Sequence, residues 1–340
     1  MTLAEIFTFE NLYEAHKNCR RSKQQKGEVI RFEATLSINL TKMNKELLSQ
    51  QYELGTYKRF IIYEPKERII EAPPYKDRVA IRCFCDNCLK PKIEGKLIYD
   101  NAACRKEKGT KFAIDRLETF LRKLYKKQRN NDFYYLKCDI QKYFPSIDHE
   151  ILLNILSKVG FSKEEMWFIK KLIKVNSSFN EKGLPLGNQS SQWFALLYLN
   201  SLDRIIKEKL RVKYYIRYMD DMILLDTDKK NLQKYQKEIE KYCQKYLSLE
   251  LNRKTQIGRV NNGIDFLGYR HILTATGKIK RKLRNSSRQR MKKHLLVLEK
   301  LSNKNLVDEE YVSIRKNAFY NHVKTTNESI GLKRAVMIRK

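Results

Sequence analysis

Two adjacent aspartates, Asp220 and Asp221, interrupt the otherwise largely apolar stretch IRYMDDMILL at residues 216–225. The flanking segments YYIRYM and MILLD have the composition of two short strands, and they are joined too tightly for a long loop between them. The pair is therefore predicted at the tip of a hairpin. Adjacent carboxylates repel each other and raise each other's pKa, and a hard divalent cation with oxygen ligands would compensate this repulsion. The stretch predicts part of a metal site.

A third carboxylate, Asp139, stands near the end of the predicted strand FYYLKCDI at residues 133–140. It can meet the Asp220–Asp221 tip if the two strands are neighbours in one sheet. Three aspartates could hold two divalent ions, and such sites activate an attacking oxygen and stabilise the leaving oxygen of an in-line displacement at phosphorus. Because paired aspartates in turns usually cap or solvate, the spacing alone leaves both interpretations open.

The charge of the chain favours a nucleic-acid substrate. Among 340 residues, 70 Lys and Arg stand against 39 Asp and Glu, which gives a formal net charge of +31. Basic side chains cluster in KIKRKLRNSSRQRMKK (278–293) and in RKLYKKQR (122–129), and such runs neutralise phosphates. A merely solvated helix face is the alternative. Combined with the aspartates, the charge predicts phosphoryl or nucleotidyl transfer on nucleic acid.

The cysteines and the apolar segments bear on the cellular compartment. We expect a protein that is neither exported nor membrane-spanning, because the first 20 residues carry three glutamates and no run of about 18 apolar residues occurs. Seven cysteines in such a chain predict reduced thiols. Cys83, Cys85 and Cys88 in RCFCDNC resemble half of a zinc site, for which Cys104 or His16 would be the conjectural fourth ligand. Burial of small side chains on a helix is the favoured alternative.

The elements that must position these residues alternate irregularly. Residues 1–57 are predicted to be mainly helical, and KRFIIYEP and ERIIEAPP predict two strands joined at residues 65–67. Helices are predicted around residues 146–160 and 162–174, from about Ser190 to Leu210, and from about residue 283 onward. The segment 229–251 predicts an amphipathic helix with Leu232, Tyr235, Ile239, Tyr242 and Tyr246 on one face. This order predicts an α+β fold with helices on one face of a sheet.

Six motifs between residues 58 and 273 resemble those of the reverse transcriptases. They are PKERIIEAPPYKDR (65–78), KCDIQKYFPSIDH (137–149), GLPLGNQSSQ (183–192), YMDD (218–221), NRKTQI (252–257) and FLGY (266–269). The resemblance implies a right-hand polymerase fold. Its expected parts are the fingers and an N-terminal helical region at 1–132, a palm at 133–270 whose antiparallel sheet carries the catalytic aspartates and which includes helices at 146–212, and a basic helical thumb at 271–340.

The resemblance also implies roles for individual residues. Asp139, Asp220 and Asp221, with the backbone carbonyl of Ile140, would bind two Mg²⁺ ions, for which Mn²⁺ can substitute. Lys254 would protonate the departing pyrophosphate. Nucleotide-binding roles fall to Arg68, Lys66, Leu186 and Phe144, whose ring would exclude a ribose 2′-OH. Template or primer contacts fall to Gly187, Gln192, Tyr218, Met219, Phe266, Leu267 and Gly268.

The loop LGNQSSQ at residues 186–192 points to a subclass, because many reverse transcriptases have QGxxxSP there. Its form is similar to that of diversity-generating retroelements, and NAACRKEKGT (101–110) agrees. Those enzymes copy a template-repeat RNA into cDNA with frequent errors at adenines, and the cDNA diversifies a target gene. The resemblance implies template RNA, a DNA or RNA primer, dNTPs and a small basic accessory protein as partners. It also implies a cytoplasmic protein that is encoded by a bacterium or a phage.

Other interpretations remain open from the sequence. Retron, group II intron and phage-defence reverse transcriptases share the catalytic motifs. From another class, a non-catalytic RNA-binding protein could have a polymerase-like fold. The presence of all three aspartates together with Arg68 and Phe144 argues against that last alternative.

Overall fold

The N-terminal third of the chain is helical apart from one ribbon of two strands. The computed structural model describes residues 2–64, 66–175, 181–324 and 326–328. The first elements are α1 (Leu3–Ile6), α2 (Phe9–Arg20), α3 (Gly27–Ala34), α4 (Leu36–Leu48), β1 (Lys58–Ile62), β2 (Arg68–Ala72), α5 (Tyr75–Phe84) and α6 (Lys90–Glu94). Strands β1 and β2 pair antiparallel, which confirms the predicted strand pair. Pro65, in the predicted turn between them, lies outside the described residues.

The middle of the chain carries the segments that flank the predicted aspartates. In order they are α7 (Thr110–Gln128), β3 (Tyr134–Cys138), α8 (Tyr143–Ser146), α9 (His149–Ser157), α10 (Lys163–Lys174), α11 (Gln189–Tyr198), α12 (Asn200–Arg204), β4 (Tyr214–Tyr218), β5 (Asp221–Asp226) and α13 (Lys229–Leu247). Asp148 caps α9, and Ser162 with Glu165 forms a capping box at α10. The helix predicted from about Ser190 to Leu210 is broken into α11, α12 and a π-helical turn.

The last part of the chain begins with strands and ends with helices. Its elements are β6 (Gln256–Arg259), β7 (Ile264–Phe266), β8 (Tyr269–Leu273), β9 (Ile279–Leu283), α14 (Asn285–Asn303) and α15 (Glu309–Val323). The basic run 278–293 is thus divided between strand β9 and helix α14. As far as the structure describes the chain beyond residue 283, its secondary structure is helical, as predicted.

The strands form three sheets. One is the β1–β2 ribbon, a second has the order β4-β5-β3-β6, and a third has the order β7-β8-β9. The pairs β3–β6, β7–β8 and β8–β9 are antiparallel. Helices combined with antiparallel sheets confirm the predicted α+β class.

The described residues form two compact units. Unit 1 comprises the described parts of Met1–Gly109 and Cys138–Met222 together with Tyr235–Thr255. Unit 2 comprises Thr110–Lys137, Ile223–Lys234 and the described part of Gln256–Lys340. The units interleave in sequence, and the fingers, palm and thumb boundaries at residues 132 and 270 stay a prediction.

The helical core of unit 1 contains the three clustered cysteines. Helix α5 continues through a π-helical turn, Cys85–Leu89, into α6, and the amide of Lys90 donates to the carbonyl of Cys85. Helical structure therefore continues past Pro91 and extends to Glu94. The side chains of Cys83, Cys85 and Cys88 are buried on this helix, which agrees with the interpretation as core residues.

Helix α13 is amphipathic as predicted, but its buried face differs from the predicted one. Its buried side chains are Leu232, Ile239, Cys243 and Leu247. Tyr246, which the spacing assigned to the core face, is 53% exposed. Across the described ranges, no helix is long and apolar enough to span a membrane.

Unit 2 holds a buried ion pair between Glu118 of α7 and the sheet β7-β8-β9. The Glu118 carboxylate accepts a hydrogen bond from Arg281 Nε at 2.8 Å and lies 3.2 Å from His271 Nδ1. Burial by itself would raise the pKa of Glu118, but the hydrogen bonds from His271 and Arg281 outweigh it and lower the pKa to about 2.

The low pKa of Glu118 predicts a loss of stability in acid. Its contribution is complete above its ordinary pKa of 4.5 and is lost as the pH falls towards 2. Between about pH 5 and about pH 3, the free energy of unfolding should fall by about 2 kcal/mol more in wild type than in Glu118→Gln. Urea unfolding at several pH values measures this slope. Asp115→Asn is the control, because Asp115 contacts the same arginine but is half exposed. Equal acid slopes in wild type and Glu118→Gln would contradict the prediction.

Candidate active site

The YMDD segment forms the predicted hairpin. Strand β4 ends at Tyr218 and β5 begins at Asp221, so Met219 and Asp220 are the two residues of the tip. Met219 has a φ of 54°, in the left-handed region that such short connections use. Tyr218, Met219, Asp220 and Asp221 are all partly exposed. The hairpin thus presents its carboxylates at one end of the sheet.

Asp139 follows β3 directly, and the fold brings its carboxyl group to the hairpin tip. The carboxyl groups of Asp139 and Asp220 lie close enough for their charges to interact directly. Burial and then the charge of Asp139 raise the pKa of Asp220 to about 7, and the charge of Asp221 adds to this shift. Carboxyl groups 81 residues apart in the sequence therefore meet in unit 1.

The donor set of this cluster fits a hard divalent cation. Carboxylates that lie together repel each other, and a bound divalent cation would compensate this repulsion. Carboxylate oxygens are the ligands that Mg²⁺ prefers. Within the described ranges, no three or more His, Cys, Asp or Glu side chains form a ready-made metal cage. The residues fit the ion in their chemistry, while their role as ligands is a proposal.

The segment after α13 lies antiparallel to the chain around Asp139. The amide of Asn252 donates to the carbonyl of Asp139 at 2.7 Å, and the amide of Gln141 donates to the carbonyl of Glu250 at 2.9 Å. Since successive carbonyls of an extended chain point in opposite directions, the carbonyl of Ile140 points away from this segment. Of these two carbonyls, that of Asp139 is engaged by Asn252.

Asn252 is a residue of the site that the sequence did not single out. Its side-chain Nδ2 donates to Asp139 Oδ2 at 3.1 Å, and its Oδ1 accepts from the amide of Lys254 at 3.0 Å. Lys254 itself is exposed. The only sequence signal was the position of Asn252 at the start of the motif that contains Lys254.

A buried arginine holds the hairpin tip through a hydrogen bond to its backbone. The sequence did not single out this residue either. Arg217 is 0% exposed, and its guanidinium forms a bidentate pair with Asp203 of α12, with Nε 2.7 Å from Oδ1. Its Nη1 donates to the carbonyl of Met219 at 2.8 Å, and its Nη2 donates to the carbonyl of Leu196. Arg217 therefore ties the tip to helices α11 and α12.

The loop before α11 joins the residues predicted to surround the nucleotide. The amide of Leu184 donates to the carbonyl of Phe144 at 3.0 Å, and the amide of Glu71 donates to the carbonyl of Leu186 at 2.9 Å. Phe144 and Leu186 are partly exposed. Arg68 begins the same strand β2 and is exposed, as is Lys66 before it. The fold thus links the Leu186 loop to the strand that carries Arg68.

Gly187 approaches strand β2 closely, in a backbone conformation that disfavours a side chain. Its φ is 116°, and an added Cβ would lie 3.1 Å from both the carbonyl oxygen of Glu71 and Cγ2 of Ile70. Sequence reasoning attributed this glycine to a close approach of the template. The approach that the structure shows is to strand β2, and the template contact stays a prediction.

The family of the chain follows from its sequence over this whole region. Residues 65–271 match the family described as reverse transcriptase (RNA-dependent DNA polymerase), which is more than half of the chain. This chain belongs to the reverse transcriptase family. A comparison with curated proteins found no significant match.

Solved structures support the fold of this reverse transcriptase. Telomerase from Candida albicans, solved with a TWJ fragment of telomeric RNA, has a TM-score of 0.51 at 12% identity over 84% of this chain and 63% of its own. Apo telomerase from Candida tropicalis has a TM-score of 0.51 at 16% identity over 70% of this chain and 49% of its own. The chain thus spans less than two thirds of each. At these identities the likeness shows the fold alone, and it confirms the predicted polymerase architecture.

The remaining predicted contact residues of the reverse transcriptase fall into two groups. Gln192 is exposed on α11 and accepts a hydrogen bond from Cys104, and α11 begins at Gln189 with Asn188 as its cap. Leu267 and Gly268 form the two-residue turn between β7 and β8, with φ values of 47° and 87°. Phe266, in contrast, is 1% exposed in unit 2, so its side chain is a core residue, and its contact with a primer stays a prediction.

Proposed function

We propose that this reverse transcriptase copies an RNA template into cDNA, with Asp139, Asp220 and Asp221 as ligands of two divalent ions. The observation that carries the proposal is the meeting of the Asp139 and Asp220 carboxyl groups in a chain of this family. Mg²⁺ is the expected ion and Mn²⁺ its substitute, with the carbonyl of Ile140 as a further oxygen ligand. When bound, such ions activate the primer 3′-oxygen and stabilise the departing pyrophosphate.

The other residues would bind and orient the incoming nucleotide. The exposed guanidinium of Arg68 can bind phosphate oxygens of the triphosphate in a bidentate manner, with Lys66 beside it. The ring of Phe144 would collide with a ribose 2′-OH and so select deoxynucleotides. Lys254 would donate a proton to the pyrophosphate. Two backbone hydrogen bonds support this assignment, one between Leu184 and Phe144 and one between Glu71 and Leu186. They join the segments that carry Phe144, Leu186 and Arg68.

Primer extension with the purified chain tests the proposed polymerase. A DNA primer annealed to an RNA template, dNTPs and Mg²⁺ should yield full-length cDNA, and a chelator should abolish the product. A chain that retards the template–primer duplex in a gel but extends no primer under either Mg²⁺ or Mn²⁺ would instead be a non-catalytic RNA-binding protein.

We further propose that the enzyme is of the diversity-generating retroelement type, with a template RNA and a small basic accessory protein as partners. The LGNQSSQ loop supports this. The carbonyl of Leu186 is held by the amide of Glu71, so the residue is fixed beside the strand that carries Arg68. Its apolar side chain cannot orient a nascent base pair through hydrogen bonds. The loss of one such contact is worth about 1 kcal/mol, which is several-fold in discrimination.

Substitution of Leu186 tests this account of fidelity. Leu186→Gln should lower misincorporation opposite template adenines several-fold, because an amide can hydrogen-bond to the nascent pair. Sequencing of cDNA made on a defined RNA template measures the error spectrum. Leu186→Met is the matched control, since it keeps an apolar side chain of similar volume and should keep the wild-type spectrum. An unchanged adenine error rate in Leu186→Gln would refute the hypothesis.

A further inference from the structure

We infer that Asn252 is a positioning residue that fixes the carboxylate of Asp139 and the Lys254 turn relative to each other. The inference rests on the proposed polymerase function. One residue holds Asp139 twice, through its backbone amide to the Asp139 carbonyl at 2.7 Å and through Nδ2 to Asp139 Oδ2 at 3.1 Å. Neither the main chain nor the carboxylate of Asp139 can therefore rotate without breaking a contact with Asn252.

The same side chain shapes the turn that follows. The side-chain Oδ1 of Asn252 accepts from the amide of Lys254 at 3.0 Å. The backbone carbonyl of Asn252 accepts from the amide of Thr255 at 2.8 Å. A side-chain amide can hold both the Asp139 carboxylate and the Lys254 amide, because it offers a donor and an acceptor on one planar group. Aspartate at this position would keep the acceptor for Lys254 but lose the donor to Asp139.

The surrounding backbone makes this arrangement rigid. Ile140 and Leu251 form an antiparallel bridge, and the amide of Gln141 donates to the carbonyl of Glu250 at 2.9 Å. Asn252 thus stands at the end of a short paired segment and not in a free loop. Groups that hydrogen-bond to metal ligands typically contribute 10–100-fold to metal affinity or activity. The structure assigns such a contribution to Asn252 through Asp139.

The Mg²⁺ dependence of Asn252→Ala tests the inference. The Mg²⁺ concentration for half-maximal primer extension should rise by about tenfold or more. The KM for dNTP should change much less. Arg253→Ala is the matched control, because Arg253 is exposed in the same turn and should leave the Mg²⁺ requirement at its wild-type value. A folded Asn252→Ala enzyme with the wild-type Mg²⁺ requirement would overturn the inference.

A second variant separates the Asp139 contact from the turn. Asn252→Asp keeps the acceptor for Lys254, so a wild-type Mg²⁺ dependence in this variant would show that only the turn matters and would overturn the inference. We expect the Mg²⁺ concentration for half-maximal primer extension to differ between Asn252→Asp and wild type. The Mg²⁺ concentration that half-saturates the rise in Tm gives the same comparison without activity. If wild type extended no primer, the proposed function would fail, while the Tm comparison would still decide the role of Asn252.

Discussion

Replacing Asp220 with Asn should lower the rate of DNA synthesis on an RNA template by about 10³-fold or more. The carboxylate of Asp220 lies against that of Asp139, and an amide in its place offers only one neutral oxygen to a divalent ion. Metal-ion stabilisation of the transition state is worth several kcal/mol, and each 1.36 kcal/mol is about tenfold in rate. Single-turnover primer extension at saturating Mg²⁺ and dNTP measures the loss.

The matched control for Asp220 is Asp226 at the other end of β5. Asp226 accepts hydrogen bonds from the amide of Asp228 and the side chain of Asn231, which is a role in ending the strand. Asp226→Asn should therefore stay within about twofold of the wild-type rate. An Asp220→Asn enzyme that retained more than about a tenth of the wild-type rate would contradict the proposed role of Asp220.

Replacing Arg217 with Met should lower the free energy of unfolding by about 3–5 kcal/mol. The substitution leaves the carboxylate of Asp203 buried at 0% exposure without its cationic partner. It also removes the donors to the carbonyls of Met219 and Leu196. Urea unfolding with a linear extrapolation to zero denaturant measures the change.

Removing the charges of both Arg217 and Asp203 tests whether the loss of stability comes from the broken ion pair or from lost packing. The double variant Arg217→Met with Asp203→Leu should recover much of the lost stability, because replacing a buried ion pair by apolar groups is often nearly neutral. Arg204→Met is the surface control, since its pair with Glu208 is about half exposed and is worth less than about 1 kcal/mol. A loss under about 1 kcal/mol in Arg217→Met alone would contradict the account.

Local patterns predicted much of the fold and the YMDD hairpin. The YMDD hairpin was predictable because apolar strand residues bracket two acids within ten positions, and the strand before Asp139 because its aromatic and branched residues favour extended structure. The caps at Asp148 and Ser162 were predictable because capping depends on residues three or fewer positions away. These features are all decided within a short stretch of sequence.

The features that sequence reasoning missed depend on contacts between distant residues. Arg217 could be recognised as buried only once Asp203 of α12 lay beside it. Asn252 gained its position from Asp139, which lies 113 residues away. In α13, three- and four-residue spacings fit more than one stripe, and Cys243 and Leu247 took the buried face while Tyr246 faces solvent. Phe266 is a core residue of unit 2, which its motif did not predict.

Metal binding by Mn²⁺ electron paramagnetic resonance tests the central claim most directly. Wild type and Asp139→Asn are titrated with Mn²⁺ on the same RNA template with a chain-terminated DNA primer and the matching dNTP, so that the nucleic-acid background is equal. The account predicts two tightly bound ions for wild type and the loss of at least one in Asp139→Asn. Equal numbers of tightly bound ions in the two proteins would contradict it.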